Sequence, residues 1–441
     1  MTAPSTALLT DHYELTMVEA ALRNGTGQRR AVFEVFARRL PEGRRYGVVA
    51  GTGRLLDAIE RFRFDAETLE VLDHAGVVDK PTLDWLADYR FSGHAWGYGE
   101  GDCYFPGSPV LVVESTFAEA VVLETLSLSI LNHDSAIAAA ASRMTMAAGD
   151  RPCVEMGSRR THEQAAVAAA RAAYIAGFAT TSNLQARHEY GIPTTGTSAH
   201  AFTLVHDSER DAFVTQVAAL GAATTLLVDT YDVAQGVRTA VEVAGPELGA
   251  VRLDSGDLVE LAGQVRHQLD ELGANKTRII VTSDLDEFQI AALAAAPVDG
   301  YGVGTALVSG SGAPTAGMVY KLVARSVSDA PDAPLLPVAK RSLAKAGLGG
   351  RKWAVRELDS TGTATGETIG TTAAPPDHPA RGGTRRVLLR PLIRAGEVIG
   401  REQLAAARDR HSAALRELPA TARQLSRGEP AIPTRYVEGP R

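Results

Sequence analysis

The chain reads as an α/β protein built around a β/α-barrel-like domain, with a second α/β domain made from its N-terminal region and C-terminal segments. Three observations carry that reading. Between about Arg151 and Val323, short β-branched runs alternate with longer stretches of helix formers, and parallel strands need such crossover helices. Several of the helical stretches stop at a glycine, where a left-handed residue is sterically easy. Polar residues gather just after the apolar runs, the end of the strands at which β/α barrels place their chemistry.

In order, strands are predicted at Val154 to Met156, Thr194 to Thr197, Thr224 to Val228, Ala250 to Leu253, Arg278 to Val281 and Gly300 to Val303. Helices are predicted at Glu163 to Ala176, Glu209 to Leu220, Val233 to Ala244, Leu258 to Leu272 and Asp286 to Ala295, with stops at Gly177, Gly221, Gly245 and Gly273. Residues 1–115 differ in texture: a capped helix after Asp11, an apolar strand at Val32 to Phe36 and an extended segment at Pro109 to Glu114. The alanine-rich stretch from Ala118 to Ala148 is broken by charged residues and reads as packed helices. Beyond Lys321, Pro331, Pro334 and Pro337 mark one loop, Lys352 to Arg356 a strand, and Pro375, Pro376 and Pro379 another loop. Arg401 to Ser426 reads as an amphipathic helix with a solvated face. The expected division is 1–115, 116–325 for the barrel-like domain, and a segment 326–441 returning to the N-terminal domain. No internal repeat is present.

With 441 residues and 45% apolar content the chain has ample material for a core. A net charge of −7 argues against nucleic-acid or anionic-membrane binding, which calls for excess Lys and Arg. Only Cys103 and Cys153 occur, so neither a disulfide scaffold nor a structural zinc site is expected. The N-terminus lacks a secretory pattern and no window holds roughly 18 uninterrupted apolar residues. A cytoplasmic address follows by elimination.

The chemistry concentrates in three polar turns. The first is Thr195 to Phe202, where Gly196, Thr197 and Ser198 precede His200; the backbone and hydroxyls suit an anion, and the imidazole is titratable near neutrality. The second is Arg252 to Asp257. Arg252 and Asp254 lie two apart on one strand and so share a face. They form either an internal ion pair or a binding fork for phosphate with a carboxylate facing a sugar, and Asp257 is a natural helix cap. The third, Gly302 to Thr305, resembles phosphate turns late in barrels but is not a nucleotide fingerprint, since no G-x-G-x-x-G runs into a helix. Arg159 and Arg160 are either solvated or anion-binding. Ser283 and Asp284 either support the site or cap the next helix. Asp229 is a further carboxylate on a strand-end loop. Tyr13 either packs on a core or stacks on a flat heteroaromatic ligand.

Leu8 to Met17, Phe33 to Phe36, Glu155 to Arg160, Phe178 to Asn183, Gly196 to Phe202, Val228 to Asp232, Arg252 to Asp257, Gly302 to Thr305 and Tyr320 to Val323 together resemble nicotinate phosphoribosyltransferase, in consistent order. That resemblance implies a type II phosphoribosyltransferase fold and the joining of nicotinate to 5-phosphoribosyl 1-diphosphate. It implies diphosphate release, coupled ATP hydrolysis, Mg2+ and a homodimer. By similarity His200 is transiently phosphorylated, while Tyr13 and Thr197 contact nicotinate. Arg252, Gly304 and Thr305 contact the phosphoribosyl donor, and Arg159, Ser198 and Ser283 are further binding candidates. Asp254 or Asp229 is placed to stabilise positive charge on the ribose. The metal ligands cannot be named from the sequence. Amide-using relatives carry an acidic residue in the turn equivalent to 197–199, and this chain has none there, which resembles a preference for the acid.

Rival readings are a nicotinamide or quinolinate phosphoribosyltransferase, and a catalytically silent metabolite-binding relative. An unrelated barrel lyase would need a Schiff-base lysine at a strand end, and none is evident.

Overall fold

A computed structural model of the chain describes residues 4–340, 348–372, 375 and 383–437. Pro376 and Pro379 of the second expected loop fall outside these residues. Two compact units are present, Met1–Ala138 with Thr315–Arg441, and Ala139–Pro314.

The second unit holds a six-stranded sheet. Its spatial order is Thr180–Thr181, Cys153–Glu155, Gly300–Val303, Arg278–Ser283, Ala250–Leu253 and Thr225–Leu227, and every pairing is parallel. Read in one direction this is cyclic sequence order throughout, the order of a barrel; among the described residues the two outermost strands do not pair, so the sheet is a half-barrel. The strands form because their residues can be buried on both faces: Val251 and Leu253 are buried on one side of their strand, and all four residues of Gly300–Val303 are buried. The helices Glu163–Ile175, Glu209–Leu220, Val233–Ala244 and Leu258–Glu271 lie where the residue pattern puts them. Gly177, Gly221, Gly245 and Gly273 follow them with φ of 107°, 81°, 78° and 74°, a region closed to most side chains.

Three expectations need correction here. Thr194 to Thr197 is not a strand; only Thr194 makes one isolated parallel bridge, to Thr181. Pro193 and Gly196 flank a run of hydroxyl residues with no apolar alternation, so nothing anchors a longer ladder. The strand Thr180–Thr181 and the helix Leu184–Tyr190 were not anticipated. The stretch after Asp286 is split into the helix Glu287–Ala292 and a 3₁₀ turn at Leu293–Ala295.

The first unit contains an antiparallel seven-stranded sheet with Arg30–Ala37 inside it, between Met318–Ser326 and Leu111–Thr116. Its core gathers Phe33, Val35, Val113, Leu126, Leu131 and Tyr320, and the Phe33 and Tyr320 rings stack at 4.9 Å. A second sheet orders Thr384–Val387, Trp353–Leu358, Ala364–Gly370 and Thr434–Val437. The expected divisions near 115 and 325 shift for a physical reason. Phe117–Val121 and the start of Glu124–Ala148 put Ala118, Val121, Leu126 and Ile130 into this core, and Met318–Ser326 pairs with Arg30–Ala37. Leu335–Pro337, read as loop, adds an edge strand to Met318–Ser326, a position where proline is tolerated. Of the helix expected over Arg401 to Ser426, Leu404–Glu417 is α-helical and Ala420–Arg423 is a 3₁₀ turn after Pro419.

Candidate active site

Parallel register aligns the strand ends of the second unit in one row. Leu227 stands opposite Arg252, Val281 opposite Leu253, and Thr282 opposite Gly302, so the residues that follow share a level. Asp229, Asp254 and Thr282 therefore come together although each lies on a different strand or its trailing loop.

Arg252 is the hub. Its Nε donates to Thr282 Oγ1 at 2.8 Å and its Nη2 to Asp254 Oδ1 at 2.8 Å. Its Nη1 donates to Thr197 Oγ1 at 2.9 Å and to the Ser198 carbonyl at 3.0 Å. Four of its five N–H groups are thus engaged by the protein. The internal ion pair anticipated as one alternative is present, and it also ties the 197–198 turn to the sheet. Asp254 accepts from the Thr282 hydroxyl as well. Burial pushes the Asp254 carboxyl up, but the Thr282 and Arg252 hydrogen bonds and the Arg252 charge outweigh it and hold the group below the usual carboxylate range.

Asp229 is buried. Its Oδ2 accepts from the Asp254 backbone N–H and the Ser255 hydroxyl, both at 2.8 Å, and its Oδ1 is buried with no hydrogen-bond partner among the described residues. His200 opens the short helix His200–Leu204. Its Nδ1 lies 3.1 Å from Thr230 Oγ1, and its Nε2 lies 3.9 Å from both Asp229 Oδ1 and Asp254 Oδ2. The imidazole therefore faces two carboxylate oxygens with its exposed edge open to solvent.

Three neighbours had not been singled out. Thr230 sets the ring of His200, and Thr282 joins Arg252 to Asp254. Glu209, at the start of its helix, has a buried Oε1 with no hydrogen-bond partner among the described residues, and burial together with the charges of Asp232 and Asp229 pushes its carboxyl up to about 7. Thr230 sits in the Val228 to Asp232 piece, but no local pattern marks a hydroxyl as the partner of a side chain on another strand.

The other candidates are placed as follows. Gly157 to Arg160 forms a turn that abuts the third polar turn: Met156 N–H donates to the Val303 carbonyl at 2.8 Å, and a Cβ on Gly157 would lie 3.2 Å from the Gly304 carbonyl. Arg159 and Arg160 are exposed on it. Gly304 precedes the short helix Thr305–Val308, and Thr305 is exposed. At Gly302 packing requires a glycine, since a Cβ there would lie 2.4 Å from Thr282 Cγ2 and 2.7 Å from Met156 Sδ. Gly196, by contrast, has open space where a Cβ would go. Ser283 and Asp284 are exposed and do not cap the next helix; Asp286 does, in a capping box with Gln289. Asp257 caps its helix through the Val259 and Glu260 N–H groups.

Tyr13 belongs to the first unit. It is 46% exposed in the first turn of His12–Arg23, so the core-packing alternative is not what the structure displays. Burial and then the charges of Glu124 and Glu14 push its hydroxyl up to about 12. Asp11 stands at the N-cap position but makes no side-chain cap bond. No described group of three or more His, Cys, Asp or Glu side chains is arranged to hold a metal ion, and no described helix is long and apolar enough to cross a membrane.

Comparison with known proteins places this geometry. The family model described as the nicotinate phosphoribosyltransferase N-terminal domain matches residues 8–132, and that of the nicotinate phosphoribosyltransferase family matches residues 152–346. The chain is 59% identical over 438 residues to nicotinate phosphoribosyltransferase pncB1 of Mycobacterium tuberculosis, covering 98% of this chain and 95% of that one. It is 38% identical over 330 residues to nicotinate phosphoribosyltransferase of Bacillus subtilis, covering 73% of this chain and 67% of that one. Human nicotinic acid phosphoribosyltransferase superposes with a TM-score of 0.80 at 26% identity, covering 98% of this chain and 97% of that one. Nicotinate-nucleotide pyrophosphorylase from Pyrococcus furiosus shares the fold with a TM-score of 0.78 at 23% identity, over 95% and 98% of the two chains. With near full-length identity of this order and both family models matched in sequence, the chain belongs to the nicotinate phosphoribosyltransferase family.

Proposed function

We propose that this protein makes nicotinate mononucleotide and diphosphate from nicotinate and 5-phosphoribosyl 1-diphosphate, in the salvage of pyridine nucleotides. The observation that carries the proposal is the ring of Arg252, Thr282 and Asp254 beside Asp229 and His200, lying inside the region matched by the family.

The pyridine nitrogen of nicotinate forms a bond to ribose C1 as the bond from C1 to diphosphate breaks. No proton is transferred, so positioning and charge stabilisation are the enzyme's work. Asp254 Oδ2 and Asp229 Oδ1, which both face His200, would offer negative charge to the ribose as positive charge builds there. The Arg252 guanidinium, bonded to Thr197 and Ser198, puts positive charge behind the turn that would face the nicotinate carboxylate. Only one Arg252 N–H remains for the phosphoribosyl donor, so Arg159, Gly304, Thr305 and Ser283 would carry more of the phosphate binding.

Coupled ATP hydrolysis runs through His200 in this proposal. A ring nitrogen forms a bond to the γ-phosphorus as the bond from that phosphorus to ADP breaks, and water later splits the phosphoryl–nitrogen bond to release phosphate. Magnesium, commonly held in large part by substrate phosphates, would neutralise the departing diphosphate when bound. The protein would work in the cytoplasm as a homodimer, which sedimentation of the purified protein tests.

The decisive assay follows labelled nicotinate with the donor and magnesium, with and without ATP. Product and diphosphate are expected in equal amounts, with ATP raising the yield. Nicotinamide and quinolinate at the same concentration are expected to be poor substrates, and efficient use of either overturns the assignment. Tight ligand binding without diphosphate release would mark a silent relative. His200→Ala is expected to lose the ATP stimulation while keeping slow ATP-independent transfer.

A further inference from the structure

Thr282 occupies a central strand, between Ala250–Leu253 and Gly300–Val303, and is 4% exposed. Arg252 Nε can only donate, so the bond at 2.8 Å makes the Thr282 oxygen an acceptor there. The single hydroxyl proton is then directed to Asp254 Oδ1. Arg252 Nη2 reaches the same Oδ1 at 2.8 Å, which closes a ring of three side chains. The ring has two geometric consequences. Asp254 presents its other oxygen, Oδ2, toward His200 Nε2 at 3.9 Å. With Nε anchored, the Nη1 edge of Arg252 is aimed at Thr197 and Ser198.

The methyl of Thr282 has its own function in this arrangement. It lies against Gly302, where an added Cβ would come within 2.4 Å of it, and a β-branched side chain is already stiff at χ1. Packing therefore fixes the rotamer that points the hydroxyl into the ring. Serine would keep the hydroxyl without this lock, and valine would keep the shape without the hydroxyl.

We propose that Thr282 is a positioning residue of the phosphoribosyl transfer: its hydroxyl turns the Asp254 carboxylate toward the reacting centre and locks the Arg252 fork toward the nicotinate turn. The inference rests on the function proposed above. It is supported by the charge state of Asp254, whose facing groups are Arg252, Thr282, His200 and, through the backbone N–H, Asp229. Among the influences that hold that carboxyl low, the Thr282 hydrogen bond is the largest, set against burial.

Thr282→Val tests it. A hydrogen bond to a charged group is lost, so kcat is expected to fall by about 10- to 100-fold, with KM for nicotinate and for the donor within roughly threefold of the wild type. The acid limb of the pH–rate profile is expected to move toward neutrality, because Asp254 loses the donor that favours its charged form. Thr282→Ser, which keeps the hydroxyl but not the methyl lock, is expected to restore the acid limb and part of kcat. A structural role alone would lower the folded fraction without moving the limb. Circular dichroism and a thermal melt accompany each variant, and if Thr282→Val does not fold, Thr282→Ala is read for the same limb. A folded valine or alanine variant with the wild-type limb and kcat, or a serine variant that rescues neither, overturns the inference. Absence of product from the wild type would instead overturn the function on which it rests.

Discussion

A buried carboxylate oxygen without a donor is costly, and Asp229 Oδ1 is one. The fold satisfies Oδ2 twice and leaves Oδ1 facing His200, an arrangement that serves a developing cation better than it serves stability. Asp229→Asn should separate the two. Its unfolding free energy is expected to stay within about 1 kcal/mol of the wild type, because a buried charge is removed as its charge-assisted bonds weaken. Turnover is expected to fall at least about tenfold. Paired denaturation and initial-rate measurements decide it, and a variant that loses stability but keeps its turnover would place Asp229 in the scaffold.

Among the elements, the glycines of the strand ends divide by what surrounds them. Gly302→Ala forces a methyl against Thr282 Cγ2 and Met156 Sδ, and overpacking of this kind costs about 1–3 kcal/mol. Gly196→Ala meets no described atom within 4 Å, so stability should change by less than about 0.5 kcal/mol. If a ligand approaches the 195–199 turn as proposed, KM for nicotinate should nevertheless rise in Gly196→Ala. Calorimetry of both variants, with KM measured on the second, checks the contrast. The helices illustrate which information is local. Glu209–Leu220 and Val233–Ala244 have the bounds that composition and a following glycine predict, because helix formation and termination depend on near neighbours. The Thr194 to Thr197 strand failed for the complementary reason: a strand exists only if a partner is in register, and one bridge to Thr181 is all this segment makes.

For the whole molecule, buried ion pairs join distant segments within the first unit. Arg356 is fully buried and bonds Glu367 at 2.5 Å and the Cys103 carbonyl at 2.6 Å, and Lys352 pairs with Glu34 at 2.7 Å, so C-terminal strands are bound to N-terminal ones. His411 adds a pH dependence. Burial lowers its pKa from 6.5 to about 4, against the opposing effect of its bond to the Gly101 carbonyl at 3.0 Å. Between those values the unfolded chain binds the proton more readily than the folded one, so stability is full above pH 6.5 and declines as pH falls toward 4. The loss from this residue amounts to about 3 kcal/mol. Urea denaturation across that range should show the decline, and His411→Gln should flatten it.

Much of the barrel was legible in the residues themselves. The β/α alternation, its glycine stops, the three polar turns and the pairing of Arg252 with Asp254 all follow from spacing within a strand or helix, where near neighbours decide the conformation. Thr282, Thr230 and Glu209 were not legible, because each acts on a residue from a different element and only register and packing bring them together. The division of the chain was likewise settled by pairing between Arg30–Ala37 and Met318–Ser326, segments far apart in sequence. Local sequence determines which elements form and where they end; which side chains meet across them is decided only when hydrogen-bonded register and the burial of apolar faces select one arrangement of the whole chain.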